Sequence, residues 1–508
     1  MQNNYEHIPQ EKFRFVQRDA NLHDKKLETK ARGFFADALL RFKKNKSSVV
    51  AAWIICILVL YALIVPVVSP YSINDKDIIY TTRAPFVRSI ADKKLGILDG
   101  GTNLASQNQK QYERLEAIGV ETGMNPIIEI TGESYYEEMY RGSMKKFKSY
   151  SLRINKYYDT GVIYRVFSNE DFIKIMEWQN ESGIQVIYPY VDYDNAADKN
   201  SNVWFEVDSK GNAKRDANGN FIPNYSTNVA GAGVEYNSIR IKGDDGSYAY
   251  SAQKQGGAVE CRICYYNYYT YVNGHEPMYL FGTTTMGQDM FTAIGVGARF
   301  SLIFAVIVSA INLTIGAVYG SIQGYYGGTV DLILDRISDI LSGVPFIVVA
   351  TLFQLHLAQK LGVIPSFLFA FVLTGWIGMA ALTRKQFYRF KNQEFVHAAR
   401  TLGASDRRLM FKHIFPNSMG TIITSCALII PGVVSSETSL TYLGIINLSD
   451  VAGTTVGVLM QQGQTTMTSS PHAMFFPAIF FSLLMITFNL FGNGLRDAFN
   501  PSTRGVED

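Results

Sequence analysis

The chain has 508 residues and a formal net charge of +3, and 47% of its residues are hydrophobic. That length is too great for one ordinary domain. The apolar residues are segregated into 47–70 and 300–492, which excludes a uniformly globular chain. The Lys and Arg clusters abut those runs, which points to a membrane surface and not to nucleic acid.

Residues 1–29 are polar and charged without periodicity and read as a cytoplasmic arm. In 30–46, Phe35, Leu39 and Phe42 recur at helical spacing among Lys30, Arg32, Arg41, Lys43, Lys44 and Lys46. This predicts a basic amphipathic helix lying on the lipid of the inner face, so that 1–46 is cytoplasmic. Residues 47–68 carry no charge. At about 1.5 Å per residue they can cross about 30 Å of hydrocarbon, so 47–69 holds the first transmembrane helix. The positives before this helix place the N-terminus inside and residues 70–280 outside.

Residues 70–280 are a polar insertion, long enough to be an extracytoplasmic domain of its own. Strand patterns fall at 161–167, 184–191, 202–207, 238–242 and 259–272, the last carrying a dense Tyr run. Gly211-Asn212 and Gly219-Asn220 mark hairpin turns. Asp216-Ala-Asn-Gly-Asn220 lacks the Gly and Glu placement of a calcium loop and reads as a turn. Ser168-Asn-Glu-Asp171 reads as a cap opening a helix to about Asn180. The expected fold of this domain is α+β. It pairs no His with a nucleophile, so no enzymatic role is expected.

Residues 281–504 are dominated by apolar runs at about 300–320, 340–357, 365–382, 419–435 and 473–492. With the first run they give six transmembrane helices and both ends inside. Asp331, Asp335 and Asp339 fall at i, i+4 and i+8 beside Arg336. Each would cost roughly 2.5–3.5 kcal/mol near the bilayer centre, so they belong to a cytoplasmic foot leading into the third span. Pro345 then lies near the start of that span, and Lys360 and Gly362 mark an outer turn. Arg384, Lys385, Arg389 and Lys391 should stop the fourth span, and Arg496 the sixth. Residues 446–472 contain no Lys or Arg and read as an outer loop.

Between the fourth and fifth spans, residues 394–417 are polar, basic and compact. Gly403-Ala404-Ser405 separates two helix-prone pieces, which predicts a helix-turn-helix at the cytoplasmic surface. A soluble partner could grip that shape. The chain has no Gly-x-x-x-x-Gly-Lys-Ser/Thr and no His-Glu-x-x-His. It is therefore not expected to bind ATP by that route or to hold a metal or other cofactor. Ionisable groups in the spans are few, which argues against a proton- or sodium-coupled carrier. Glu437, near the outer end of the fifth span, reads equally as a pathway acid or as a structural carboxylate at the membrane interface. His356, His397 and His413 read as surface or capping residues. Cys56 and Cys426 read as small buried hydrophobes. Cys261 and Cys264 read as a local disulfide or two free thiols, because one Cys-x-x-Cys cannot supply four zinc ligands. A bundle without its own energy source implies an external motor acting through the loop.

The loop resembles the EAA loop of binding-protein-dependent ABC importer permeases. The pattern falls on His397-Ala398-Ala399, Gly403, His413 and Phe415-Pro416, with His397 where the family has Glu. Ala-Ala-Arg-Thr-Leu-Gly-Ala-Ser and His-Ile-Phe-Pro-Asn resemble the peptide-permease branch, in which the acid sits earlier, as Glu394 does. Phe281-Gly-Thr-Thr-Thr-Met-Gly-Gln-Asp289, Gly324-Tyr-Tyr-Gly-Gly328, Glu437-Thr-Ser-Leu-Thr-Tyr-Leu-Gly444 and Asn489-Leu-Phe-Gly-Asn-Gly-Leu-Arg-Asp497 occur in family order. The likeness is to the C-type subunit of oligopeptide and dipeptide importers. It covers 30–68 and 281–504, and leaves the insertion unassigned.

The resemblance implies an all-α, six-helix, type I ABC importer permease fold in the bacterial cell membrane. It implies a second permease subunit as heterodimer partner, two ATPase subunits that use ATP and Mg, and an extracytoplasmic peptide-binding protein. It carries ATPase contact over to Glu394, Ala398, Ala399, Arg400, Gly403, Ala404, Ser405 and Pro416. Related permeases carry nickel or other small solutes, and a membrane-anchored receptor using its outer domain is the rival class. For the insertion, docking of the binding protein is the expected role, on its exposed aromatic content.

Overall fold

The computed structural model describes residues 34–499 except 94, 141, 193–198, 209–210, 225–238 and 244. The arm at 1–29, the start of the basic helix at 30–33 and the end of the permease region at 500–504 lie outside the described residues. Helix α1 (Phe34–Lys44) leads at once into α2 (Lys46–Val68), whose first turn is capped by the Asn45 side chain accepting from the Ser48 amide. Beyond the insertion come α6 (Met290–Tyr326), α7 (Gly328–Ser342), α8 (Phe346–Leu361), α9 (Val363–Phe390), α10 (Glu394–Thr401), α11 (Asp406–Tyr442), α12 (Val456–Thr465) and α13 (His472–Phe499). Within the insertion, α3 is Gln109–Thr122, α4 Asn169–Ser182 and α5 Tyr265–Asn273.

Among the described residues, five helices are long and apolar enough to cross a membrane: α2, α6, α9, α11 and α13. A sixth span exists only if α7 and α8 are taken together, and they meet at a 71° bend. The expected foot therefore leads toward the third apolar run only across that bend. Pro345 caps α8 from outside, because a proline inside the helix would clash with the preceding turn. The helix of the fourth run ends at Phe390, among the expected basic residues, and Arg384 pairs with Asp331 and Asp335 of α7 at 2.6 and 2.7 Å. The expected outer loop at 446–472 is also structured: Val456, Val458 and Leu459 of α12 are buried in the bundle.

The tightest seam joins α6 to α9. Gly316, Gly320 and Gly324 recur every fourth residue on one face of α6. A Cβ at Gly320 would lie 2.2 Å from the Ala380 carbonyl oxygen, and one at Gly324 would lie 2.5 Å from Phe387 Cβ. Small residues at this spacing let two backbones approach where lipid provides no hydrophobic drive. Separately, the bundle has a core that includes Phe304, Phe367, Phe371, Val433, Leu440 and Phe480.

Among the described residues, the nine strands all lie between α2 and α6. β1 (Gly101–Asn108), β3 (Ser143–Asn155) and β2 (Ile127–Tyr140) form an antiparallel sheet in the order β1-β3-β2. α3 covers its root through Leu115 and Ile118 against Tyr150, Leu152 and Ile154. A second sheet has the order β4-β9-β5 (Val162–Phe167, Val259–Cys264, Ile187–Tyr188), with β8 (Ser251–Gln253) also on β9. β6 (Val191–Asp192) pairs with β7 (Ile239–Arg240). The expected strand at 184–191 is broken at Pro189, which cannot donate to a ladder. The expected strand at 259–272 ends at Cys264, and the Tyr run is helix α5. Its Tyr265, Tyr266 and Tyr269 share one buried face, so the tertiary core overrides β propensity. The expected strand at 202–207 makes only the bridges Phe205–Pro223 and Val207–Ala213. Gly211 and Gly219 do turn the chain, and Ser168 caps α4 by accepting from the Asp171 amide at 3.0 Å.

Glu121 of α3 joins the second sheet to the β6–β7 pair. It accepts from Arg262 of β9 at 3.0 and 2.8 Å and from Arg240 of β7 at 2.6 Å. Arg262 is fully buried and also donates to the carbonyls of Pro189 and Ser201. The chain entering the insertion pairs with the chain leaving it: Phe86 and Tyr279 exchange both backbone bonds at 2.8 Å, and Thr82 donates to Thr284 at 3.0 Å. Ser470, between α12 and α13, donates to the Thr82 carbonyl at 3.1 Å. The domain is thus rooted on the bundle.

Cys261 and Cys264 are free and buried, on opposite faces of β9 and in separate cores. Burial pushes the Cys261 thiol up to about 12 and the Cys264 thiol up to about 11. In a Cys56→Ser, Cys426→Ser background, maleimide at neutral pH should leave both thiols unmodified until the protein is denatured. For the seam, Gly320→Ala should cost about 1–3 kcal/mol by overpacking. Gly378→Ala, where a Cβ meets nothing within 4 Å, should be neutral or stabilising. Thermal midpoints of the two purified variants decide this, and equal midpoints would dismiss the seam.

Candidate functional site

The site is the helix-turn-helix between α9 and α11. α10 (Glu394–Thr401) opens with Glu394 in its first turn, where a negative charge meets the positive end of the helix dipole. It closes through a left-handed residue. Gly403 has φ +84°, and the Ala404 amide donates to the Ala399 carbonyl at 3.1 Å. The chain then enters α11 without a break. A wide turn over Leu409–Ile414 precedes Pro416. A proline in a continuous helix removes one backbone donor, and a local π-type turn takes up the mismatch.

The hairpin has a core of its own. Val396, Leu409, Met410 and Ile414 pack on Tyr325 of α6 and Phe387 of α9. Ala399 and Ala404 are half-buried against this core, whereas Glu394, Ala398, Arg400, Gly403, Ser405 and Pro416 are exposed. The carried-over residues are therefore split between an inner and an outer face. His397, which replaces the expected Glu, is exposed, and His413 is half-buried. Ser405, Arg407, Arg408, Phe411, Lys412 and Pro416 line an open, basic hollow beside the turn.

Two features were not singled out from the sequence. Leu402, at the tip, is 88% exposed. An apolar side chain in that position has no packing role in this chain. Tyr325, at the end of α6, donates to Asp406 Oδ1 and accepts from Arg400 Nη2 at 3.3 Å. One hydroxyl thus holds both arms of the hairpin to α6. The sequence signal was the Gly-Tyr-Tyr-Gly-Gly motif, in which Tyr325 is the first tyrosine. Nearby, Tyr388 of α9 donates to Asp331 Oδ2, on which Arg384 also converges. Arg336 pairs with Asp339 at 3.1 Å, away from Asp331 and Asp335.

Glu437 was expected near an interface. α11 instead continues to Tyr442, so Glu437 lies inside the helix with no exposed surface. Its Oε2 accepts from Ser301 of α6 at 2.7 Å and from Thr438 at 3.3 Å. The site and Glu437 are thus on one continuous helix, near its opposite ends.

Apolar helices bearing such a hairpin, with a β-containing domain attached, have the architecture of a polytopic ABC permease. The family profile "Binding-protein-dependent transport system inner membrane component" matches residues 312–505. The profile "N-terminal TM domain of oligopeptide transport permease C" matches 33–85. The oligopeptide transport system permease protein OppC of Bacillus subtilis (strain 168) is 41% identical over 224 residues, 44% of this chain and 72% of that protein. The dipeptide transport system permease protein DppC of the same organism is 39% identical over 225 residues, 44% of this chain and 69% of that protein. A chain of the inward-facing MetNI methionine ABC transporter overlays at TM-score 0.35 with 13% identity, covering 42% of this chain and 98% of that one, too loosely to add to the comparison. The chain belongs to the binding-protein-dependent permease family, in its oligopeptide and dipeptide transport branch. Neither profile reaches 86–311, the region that holds every strand.

A Cβ at Gly403 meets nothing within 4 Å, so a substitution there tests the backbone alone. Gly403→Val should cost about 1–2 kcal/mol of left-handed strain, and Gly403→Asn should recover much of it. Hydrogen exchange across 394–410 gives the readout.

Proposed function

We propose that this chain is the transmembrane permease subunit through which an ABC importer moves oligopeptides or dipeptides into a bacterial cell. The observation that carries the mechanism is the continuity of the hairpin with α11, a 37-residue helix. At about 1.5 Å per residue that helix is about 55 Å long, more than the thickness of the hydrocarbon core. A push on α10 and the Leu402 tip is passed into α11 and along it to Glu437. There the Ser301 contact ties α11 to α6. Glu437 acts as a structural acid joining two spans, a role that its full burial favours.

ATPase subunits and a second permease subunit complete the importer. The ATPase takes up the exposed face of Glu394, Ala398, Arg400, Gly403, Ser405 and Pro416 around the Leu402 tip, while Ala399 and Ala404 keep the two arms together. ATP and Mg are used on the ATPase subunits, and this chain holds no cofactor. The basic residues of α1 and of the hairpin support a cytoplasmic position for both termini and the loop. With six crossings the insertion is then extracytoplasmic, on the side where a peptide-binding protein delivers cargo.

Leu402→Glu changes a side chain that packs on nothing here, so the variant should fold and insert normally. It should lose ATPase co-purification and at least tenfold of ATP-dependent peptide uptake in membrane vesicles. Uptake at the unmodified rate would refute the coupling role of this tip.

A further inference from the structure

The insertion carries an open sheet edge. In the order β1-β3-β2, β2 lies outermost, and among the described residues no strand pairs with its outer side. β1 covers β3 only from Ser149 to Asn155, so from Ser134 to Lys148 the ribbon stands on its own. Tyr135, Met139 and Met144 there are 60%, 66% and 60% exposed. Cross-strand contacts shape the ribbon from within. Glu133 pairs with Lys148 at 2.8 Å, Tyr136 stacks on Phe147 at 5.7 Å, and Lys146 lies 4.9 Å over the Tyr135 ring.

Exposed edges are ordinarily blunted by proline, lysine or bulges. β2 contains no Pro, Lys or Arg. Its two register shifts lie at the root, before Gly132, and the register from Glu133 to Tyr140 is unbroken. Charge is also divided between the strands. Glu129, Glu133, Glu137 and Glu138 are on β2, while Lys145, Lys146 and Lys148 are on β3, away from the open edge. An acidic, regular, unprotected edge offers a row of N–H and C=O groups to an extended chain, preferably one that brings positive charge.

We propose that the outer edge of β2 binds extended cargo peptides by strand addition, main chain to main chain, before they enter the bundle. The inference rests on the reading of the chain as a peptide-importer permease with its insertion outside. Main-chain recognition ignores side chains, as a carrier of varied peptides requires. The paired root of the domain fixes this edge relative to the ends of α2 and α6.

The test uses the full chain in nanodiscs and a fluorescein-labelled Lys-Val-Thr-Val-Thr-Val peptide, with an alternately N-methylated copy as control. Prolines are placed singly at Ser134, Tyr135, Tyr136 and Glu137. Successive residues of an antiparallel edge strand direct their amides alternately toward the partner strand and away from it. One alternate pair of variants should therefore lower the thermal midpoint. The other pair should leave it unchanged while weakening peptide binding at least tenfold, and the N-methylated peptide should bind at least tenfold more weakly. Unchanged affinity in all four variants overturns the proposal. So does a result in which the outward prolines dissolve a dimer of the chain, or release the cognate binding protein, without altering peptide affinity. ATP-driven uptake by the assembled importer separates the two readings: uptake that persists while no ribbon variant alters peptide affinity removes only this inference, whereas absence of uptake in the unmodified importer removes the permease reading.

Discussion

The close approach of α6 to α9 is the constraint on which the rest of the membrane portion depends. Three glycines at four-residue spacing let one backbone lie against another, with no room for a Cβ at Gly320 or Gly324. That contact brings Tyr325 and Phe387 together beneath the hairpin. It also presents Arg384 of α9 to the acids of α7. A wider seam would separate α6 from the hairpin and remove the Tyr325 hydroxyl that both arms share. The position of the exposed hairpin is therefore set by the smallest residues of a buried helix.

The same economy appears at the other end of the molecule. The insertion is rooted by backbone pairing between its entry and exit strands and by one contact to the turn before α13. Its second sheet and the β6–β7 pair are locked together by a buried carboxylate with two guanidinium partners. A buried pair of this kind is costly to break from one side, because the remaining charge stays in a low-dielectric setting. In the β2–β3 ribbon, by contrast, side chains are held by their neighbours across the strands.

Much of the membrane portion was legible in the sequence, because bilayer spans need uninterrupted apolar runs and aqueous loops collect charge. The hairpin at 394–417 was readable on those grounds, down to the turn at Gly403. Arg384 was read as part of a basic stop, and only the fold shows that acids from a distant segment pair with it. Pro345 looked tolerable within a span, and instead stands at a 71° bend. In the insertion, the β2–β3 ribbon went unread because neither face is buried, so its residues carry no two-residue alternation of polarity. The Tyr run was read as strand because composition cannot show that its tyrosines share one helical face.

The sequence by itself determined that the chain enters a membrane repeatedly, where its basic loop falls along the chain, and which family it belongs to. Those properties reside in local composition and in contiguous motifs, so no knowledge of distant contacts is needed. Tertiary structure alone decided that Glu437 is sealed between α6 and α11, that Ala399 and Ala404 turn inward while Leu402 projects, and that β2 has an open edge. Each depends on which segments meet across hundreds of residues, as Ser301 meets Glu437, and no local pattern of residues encodes that meeting.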